Sequence, residues 1–310
     1  MRRLLPFIAI ALTAPAAAQN ARAPFTIAET GEGFATINDA VQSVRMGKAT
    51  ILIAPGVYHQ CTVQQGGDIT FKAVEAGTAV FEGTACEGKA AFVLRGQRAA
   101  IDGLVFRGMR VPDGNGAGVR TEMGSVFVTN SMFLDSQEGI LGGEPTTQQI
   151  TIDHSTFSGL GTCEAASDCA HSIYLANQGK VTITNSRFER GQGGHYVKLR
   201  VPHVEIADNS FDDTHGHKTN YMIDLPEGGT GTIARNTFVQ GRDKENWTGF
   251  IVVAAEHQQY PSAGLRVEGN SASLALGQTN SPAFVVDYSH EKLAQGPNRL
   301  GAGVRAFETR

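Results

Sequence analysis

The residues of this sequence best suited to acid–base chemistry recur at matched offsets in three near-copies of one unit. The copies open His171-Ser-Ile-Tyr-Leu175, His195-Tyr-Val-Lys-Leu-Arg200 and Tyr221-Met-Ile-Asp-Leu-Pro226. Tyr174, Lys198 and Asp224 hold one place in the unit, and Arg200 stands two residues past Lys198. His171, His195 and Tyr221 hold the corner just before each strand. Neighbouring strands lie about 4.8 Å apart, so stacked copies would gather these side chains into one polar patch. Arg120 belongs to the same row one coil before Leu141. The segment His215-Gly-His217-Lys218 leads straight into the Asp224 strand and is expected over the same surface.

Such a patch suits removal of the proton α to a uronate carboxylate, which needs cations for the carboxylate and a base for the proton. Lys198 is one candidate base: nearby Arg200 disfavours the charged ammonium, and Asp224 opposes that effect. His195 or His215 could act as base without any shift. Tyr174 or Tyr221 could protonate the departing glycosidic oxygen. The expected catalytic set is therefore Lys198, His195, Tyr174, Arg200, Tyr221 and Asp224, with His171, His215, His217, Lys218 and Arg120 contacting substrate. Each residue also has a plainer reading. Lys198 and Asp224 can be a cross-strand ion pair worth about 0.2–1 kcal/mol, the corner histidines can be packing groups, and residues 215–218 can be an ordinary polar loop. The coincidence of all of them on one face carries the functional reading.

The elements that would position them repeat along most of the chain. Each unit continues with a second strand, a polar turn and a phenylalanine. Counting back from that ring, an Ile or Val stands at five and usually Ser or Asn at two: Ile101/Phe106, Val128/Ser131/Phe133, Ile152/Ser155/Phe157, Ile183/Ser186/Phe188, Ile206/Asn209/Phe211 and Ile233/Asn236/Phe238, with a weaker copy at Val267/Asn270. Self-similarity at this period means stacked units burying their apolar faces on one another. Alternation with period two within each strand makes the stack a β solenoid. The inward positions of the opening strands are expected to be Ile140, Ile173, Val197, Ile223 and Val252. Stacked Ser and Asn can hydrogen-bond along the axis, and Asn tolerates the left-handed backbone of a sharp corner. Upstream, Phe34, Ile37, Val41 and Val44 have helical spacing, followed by the apolar strand 49–58. The irregular segments 159–170 and 212–220 are where function is expected to reside. From 289 the pattern is lost, and 291–310 is expected to be a cap or tail.

The chain has 310 residues, 41% apolar and 18% charged, with 37 glycines, which suits many short strands and tight corners. Its formal charge of -4 gives no basic footprint for nucleic acid. Residues 1–18 read as an export signal, with Arg2 and Arg3, an apolar run from Leu4 to Ala14, and Ala16-Ala17-Ala18 as cleavage site. The run is too short to span a bilayer. The expected location is a Gram-negative periplasm or the medium, with no transmembrane anchor. Cys61, Cys86, Cys163 and Cys169 suit that oxidising setting. The pairing 61–86 with 163–169 is expected, among the connectivities that four cysteines allow.

The helix, the strand that follows it and the Ile–Asn–Phe repeat resemble the pectate-lyase-like superfamily of right-handed parallel β-helix proteins. This resemblance covers roughly residues 34–290 after a linker over 19–33. It implies an all-β, single-domain solenoid whose N-terminal amphipathic helix caps the first coil. Together with the polar patch, the expectation is a monomer acting on an acidic polysaccharide, as a lyase or epimerase, although no named activity transfers from the resemblance. Ile150-Thr-Ile-Asp153-His-Ser-Thr-Phe157 is similar to the pectate-lyase segment whose aspartate helps bind calcium, which makes Asp153 a candidate for Ca2+. Arg200-Val-Pro202 resembles the lyase Arg-x-Pro motif, in which the Arg is the base, although Glu205 stands where a second Arg belongs. Two alternatives remain: a non-catalytic glycan-binding or envelope-associated solenoid, which an aromatic stacking platform would favour, although the only Trp, Trp247, lies in a loop one coil beyond the patch, and a glycoside hydrolase using Asp213 and Asp224 as paired carboxylates.

Overall fold

The computed structural model describes residues 23–143, 147–164, 168–176 and 179–310. The export-signal segment 1–18 lies outside these residues. The chain winds through three sheets in turn, so that each strand pairs with the strand three places further along. One sheet has twelve strands and the other two have ten each. The pairing is parallel throughout, apart from Phe25–Ile27, which pairs antiparallel with both Gly33–Phe34 and Lys48–Ile53. Phe25–Ile27 lies within the stretch 19–33 expected as linker, and Gly33–Phe34 straddles its end. The result is a right-handed β solenoid.

The repeat in the sequence becomes two internal ladders. Phe106, Phe133, Phe157, Phe188, Phe211 and Phe238 stack with ring centroids 4.7–5.1 Å apart, and Phe81 extends the stack at 5.8 Å. Beside them Ile101, Val128, Ile152, Ile183, Ile206, Ile233 and Val267 are completely buried. The second ladder is polar. Each Ser or Asn accepts a hydrogen bond from the backbone N–H of the ladder residue one coil before. Ser131 N–H donates to Ser155 Oγ at 3.3 Å and Asn209 N–H to Asn236 Oδ1 at 3.0 Å. The run reaches Asn298, which accepts from Asn270 N–H at 3.0 Å. Each bond satisfies a backbone donor that the corner leaves without a sheet partner. The left-handed residue is the one before each ladder position, not the ladder residue itself: Asn130, His154, Asn185, Asp208 and Arg235 have φ between 46° and 61°.

The helix covers Ile37–Val44, with Thr36 Oγ1 capping it by accepting from Asp39 N–H at 3.1 Å. Ile37, Ala40 and Val41 are buried against the first coil, where an open end would expose apolar core. At the other end, Ala294–Gln295, Arg299–Leu300 and Arg305–Thr309 each add a strand to one of the three sheets, so the winding continues past the point where the sequence pattern fades. One expected register is corrected. Ile251 pairs with Ile223, and Val252 pairs with Asp224, so Val252 lies in the outward row. Two disulfides, Cys61–Cys86 and Cys163–Cys169, bear out the expected pairing.

Candidate active site

One sheet carries the polar row. Strand pairing aligns Arg120 with Leu141, Leu141 with Tyr174, Tyr174 with Lys198, and Lys198 with Asp224. Arg200 is one column over, beside Ala176. Alternation puts Ile173, Val197, Leu199 and Ile223 into the core and turns the intervening side chains outward. The corner column runs alongside, with the His171 and His195 rings 4.9 Å apart and the His195 and Tyr221 rings 5.3 Å apart. Tyr174 and Lys198 of the row, Arg200 beside it, and His171 and His195 of the column form the floor of a cleft of about 860 Å³. Its walls come from the two irregular segments singled out in the sequence, through Asp168 and Cys169 on one side and Asn220 on the other.

The cations of the floor already hold a carboxylate. Lys198 Nζ lies 2.7 Å from Glu256 Oε1, and Arg200 Nη2 donates to Glu256 Oε2. Arg200 also donates to Glu227 Oε1 at 2.8 Å and to Tyr174 Oη at 2.9 Å. Although burial opposes it, these two cations hold the Glu256 carboxyl below the usual range. The Lys198 and Arg200 side chains are only 12% and 18% exposed, whereas Glu256 is 43% exposed. The glutamate is thus the solvent-facing partner and the cations the covered ones.

Beneath the cations lies a buried imidazole–carboxyl pair. His195 Nε2 is 3.4 Å from Asp224 Oδ2, while His195 Nδ1 and Asp224 Oδ1 are buried without a hydrogen-bond partner. Burial is the main force on both. It pushes His195 well below the ordinary imidazole value, helped by His171 and Lys198, and raises Asp224 to about 7 against the opposing pull of Lys198. The sequence-based expectation of an unshifted His195 is corrected accordingly. Burial also lowers His171 to about 3. Its Nδ1 accepts from His195 N–H at 3.0 Å, which leaves the proton of the neutral ring on Nε2.

The expected residues divide into several groups. Tyr174, Lys198, Arg200, His171 and His195 line the cleft. Asp224 sits directly under it, 3.8 Å from Lys198 Nζ. Tyr221 stacks behind His195, and its hydroxyl accepts from Asn246 Nδ2 at 2.7 Å. Arg120 lies 3.8 Å from Glu122 and does not line the cleft. His215, His217 and Lys218 are exposed outside it, with His217 Nδ1 2.6 Å from Asp243. The expected overhang of this loop is corrected, because only its last residue, Asn220, reaches the cleft. Asp213 is fully buried, 3.1 Å from Lys244 Nζ and hydrogen-bonded by Tyr196, Thr219 and Gly241. It cannot be one of a pair of hydrolytic carboxylates. Asp153 is on a different sheet, where its carboxylate accepts from Thr184 Oγ1 at 2.7 Å and Asn185 Nδ2 at 2.8 Å. Among the described residues no group of three or more His, Cys, Asp or Glu is arranged to hold a metal ion.

The cleft also contains residues that the sequence reading passed over. Glu138 continues the corner column one coil upstream of His171, as the pairing of Ile140 with Ile173, two residues further along each strand, shows. The same register would have found it. Glu256, Glu245, Asp113 and Asn115 of the lining lie outside the periodic strand positions, as does Glu227 behind Arg200, and no spacing announces them.

Residues 90–277 match the family described as right handed beta helix region. The chain belongs to the right-handed β-helix family. No curated protein matches the sequence. Among solved structures, this β-helix resembles the PL6 family alginate lyase AlyGC, with a TM-score of 0.53 and 16% identity over 85% of this chain and 38% of that one. It also resembles ORF18 of Geobacillus virus E2, with a TM-score of 0.47 and 14% identity over 87% of this chain and 55% of that one. The β-helix thus spans less than two thirds of either protein, and identities this low speak for the fold alone. No helix among the described residues is long and apolar enough to cross a membrane.

Proposed function

We propose that this β-helix acts on an acidic polysaccharide by β-elimination at a uronate, in an oxidising compartment outside the cytoplasm. The observation that carries this reading is the carboxylate seat: Lys198 and Arg200 grip the two oxygens of Glu256 side by side. A uronate carboxylate that displaces Glu256 would meet the same two donors, and charge-assisted pairs of this kind are about twice as strong as neutral ones. With the carboxylate held there, its charge is neutralised and the proton on the adjacent carbon is acidified.

His195 takes that proton as a neutral imidazole, and Asp224 stabilises the imidazolium formed. The electron pair of the broken C–H bond becomes the new carbon–carbon double bond. The glycosidic C–O bond breaks, and the departing oxygen takes a proton from Tyr174. Its hydroxyl oxygen is held by Arg200 Nε, which leaves the hydroxyl hydrogen free to donate. Epimerisation would share the first step and differ in returning a proton to the opposite face. The likeness in fold to an alginate lyase agrees with this chemistry, and the two disulfides agree with an oxidising compartment.

The test is incubation with alginate, pectate, glucuronan and alternating uronate polymers while following absorbance of the unsaturated product. The reading expects absorbance to rise with wild-type protein and to be lost in His195→Ala and Lys198→Ala, with the fold retained by circular dichroism. New reducing ends without absorbance would indicate hydrolysis instead. Retention on the polymers with no product would indicate a binding module.

A further inference from the structure

Two glutamates share Arg200 on unequal terms. The guanidinium gives one bond to each of three neighbours: Nε donates to Tyr174 Oη at 2.9 Å, Nη1 to Glu227 Oε1 at 2.8 Å, and Nη2 to Glu256 Oε2. Glu227 is 11% exposed, against 43% for Glu256. A substrate carboxylate that displaces Glu256 takes over Nη2 and leaves the other two bonds in place.

The chain around Glu227 is built to hold it still. The strand Ile223–Leu225 ends on a fully buried leucine, and Pro226 and Glu227 then form a turn closed by Gly228 N–H donating to the Leu225 carbonyl at 3.0 Å. Proline presets its own φ, and Gly228 supplies the positive φ of 82° with which the chain leaves the turn. The Glu227 carbonyl accepts from Gln259 N–H and Tyr260 N–H, both at 2.9 Å, and the Pro226 carbonyl accepts from Glu256 N–H at 3.1 Å. The segment that carries Glu256 is therefore tied by its backbone to the same turn. Glu256 can leave the seat by rotating its side chain, while Glu227 and the backbone beneath stay where they are. The exposed imidazole of His257 also comes within 3.8 Å of Glu227 Oε1.

We propose that Glu227 is a positioning residue for the substrate carboxylate: it fixes Arg200 so that Nη2, together with Lys198 Nζ, forms the seat. This rests on the uronate reading of that seat. A long guanidinium side chain that must be immobilised on binding lowers affinity, and one already tied at Nε and Nη1 escapes that loss. The opposite role has the opposite sign. Were Glu227 only a second anion beside the seat, it would repel the incoming carboxylate, and its removal would tighten binding. Removing Glu227 and removing Glu256 are thus expected to move affinity in opposite directions, although both carboxylates pair with the same arginine.

The experiment is affinity electrophoresis of the full protein through gels containing alginate, polygalacturonate or glucuronan at one ionic strength, a readout that does not depend on turnover. Glu227→Ala should raise the dissociation constant about three- to tenfold, the range for one side chain that must be immobilised on binding. Glu227→Gln keeps an acceptor for Nη1 and should stay within about twofold of wild type. In an Arg200→Ala background, Glu227→Ala should weaken binding no further, because no guanidinium is left to position. Unchanged or tighter binding by Glu227→Ala overturns the inference, as does equal weakening in the Arg200→Ala background or failure of the Gln variant to restore affinity. Crystal structures without polymer decide the same point independently. With Glu256→Ala alone, Arg200 should keep its bond to Tyr174 Oη, and it should lose that bond once Glu227→Ala is added. A guanidinium unmoved in the double variant overturns the inference whatever the protein binds. Retardation of wild-type protein by none of the gels removes the uronate reading, and with it the substrate half of the inference, while the crystal structures still decide whether Glu227 positions Arg200.

Discussion

His195 and Asp224 meet beneath the cleft floor, with imidazole Nε2 3.4 Å from carboxyl Oδ2 and the side chains 8% and 4% exposed. Burial moves the two groups in opposite directions on the pH scale and favours the neutral form of each. A neutral base therefore stands beside a carboxyl that changes charge near pH 7.

This pair predicts a pH dependence with a defined sign. Folded Asp224 holds its proton up to about pH 7, against an ordinary value of 3.8. The folded state thus binds more protons than the unfolded one between these limits, and the associated stability is lost as pH rises through that window. Asp224→Asn should raise the melting temperature above pH 7 and leave it nearly unchanged below pH 4. Activity should run the other way in wild-type protein, with kcat/KM climbing through about pH 7 as Asp224 ionises to support the imidazolium. That limb should be absent from the pH profile of the Asn variant. An unaltered limb in Asp224→Asn would remove the pair from the mechanism.

Glu256 occupies the seat that a substrate carboxylate would need. Exposed ion pairs are worth about 0.2–1 kcal/mol each, so Glu256→Gln should lower KM for the cleaved polymer roughly two- to tenfold with little change in the urea midpoint. A rise in KM would mean that Glu256 positions the cations instead of competing for them.

The Lys244–Asp213 pair supports the wall that carries Asn220. Both side chains are at most 1% exposed, and Lys244 Nζ also donates to the Asn220 backbone carbonyl. Removing one member of a buried pair leaves the other uncompensated, at a cost of about 3–5 kcal/mol. Lys244→Ala should show that loss in chemical denaturation together with a raised KM. Replacing both residues by apolar side chains of similar volume should recover only part of the stability, because Tyr196 Oη, Thr219 Oγ1 and Gly241 N–H lose the acceptor that Asp213 provides.

The asparagine ladder makes a prediction about the scaffold alone. Asn236 Oδ1 accepts from Asn209 N–H, and its Nδ2 donates to the Ile206 carbonyl at 2.8 Å. Asn236→Ala leaves both backbone groups buried and unmet, each costing about 1–3 kcal/mol. Asn236→Ser should cost less, because Ser186 accepts the equivalent bond from Ser155 N–H at 3.1 Å elsewhere in the ladder. Urea midpoints of the two variants test the ordering.

The sequence by itself determined the solenoid and most of its register. A period-two apolar alternation can bury only one face of a strand, and a ring at a fixed offset must stack on its copy one coil away. Those two constraints placed Tyr174, Lys198 and Asp224 in a row and His171, His195 and Tyr221 in a column without coordinates. The tertiary structure decided everything carried by the irregular segments. It took His215, His217 and Lys218 out of the cleft, sealed Asp213 against Lys244, and brought Glu256 across two rungs to close on Lys198 and Arg200. Loop paths answer to local packing and no period, so their side chains have no address in the sequence. Burial was likewise hidden from the sequence, since the same alternation that turns Asp224 outward cannot reveal that neighbouring side chains cover it and push its ionisation toward neutral pH.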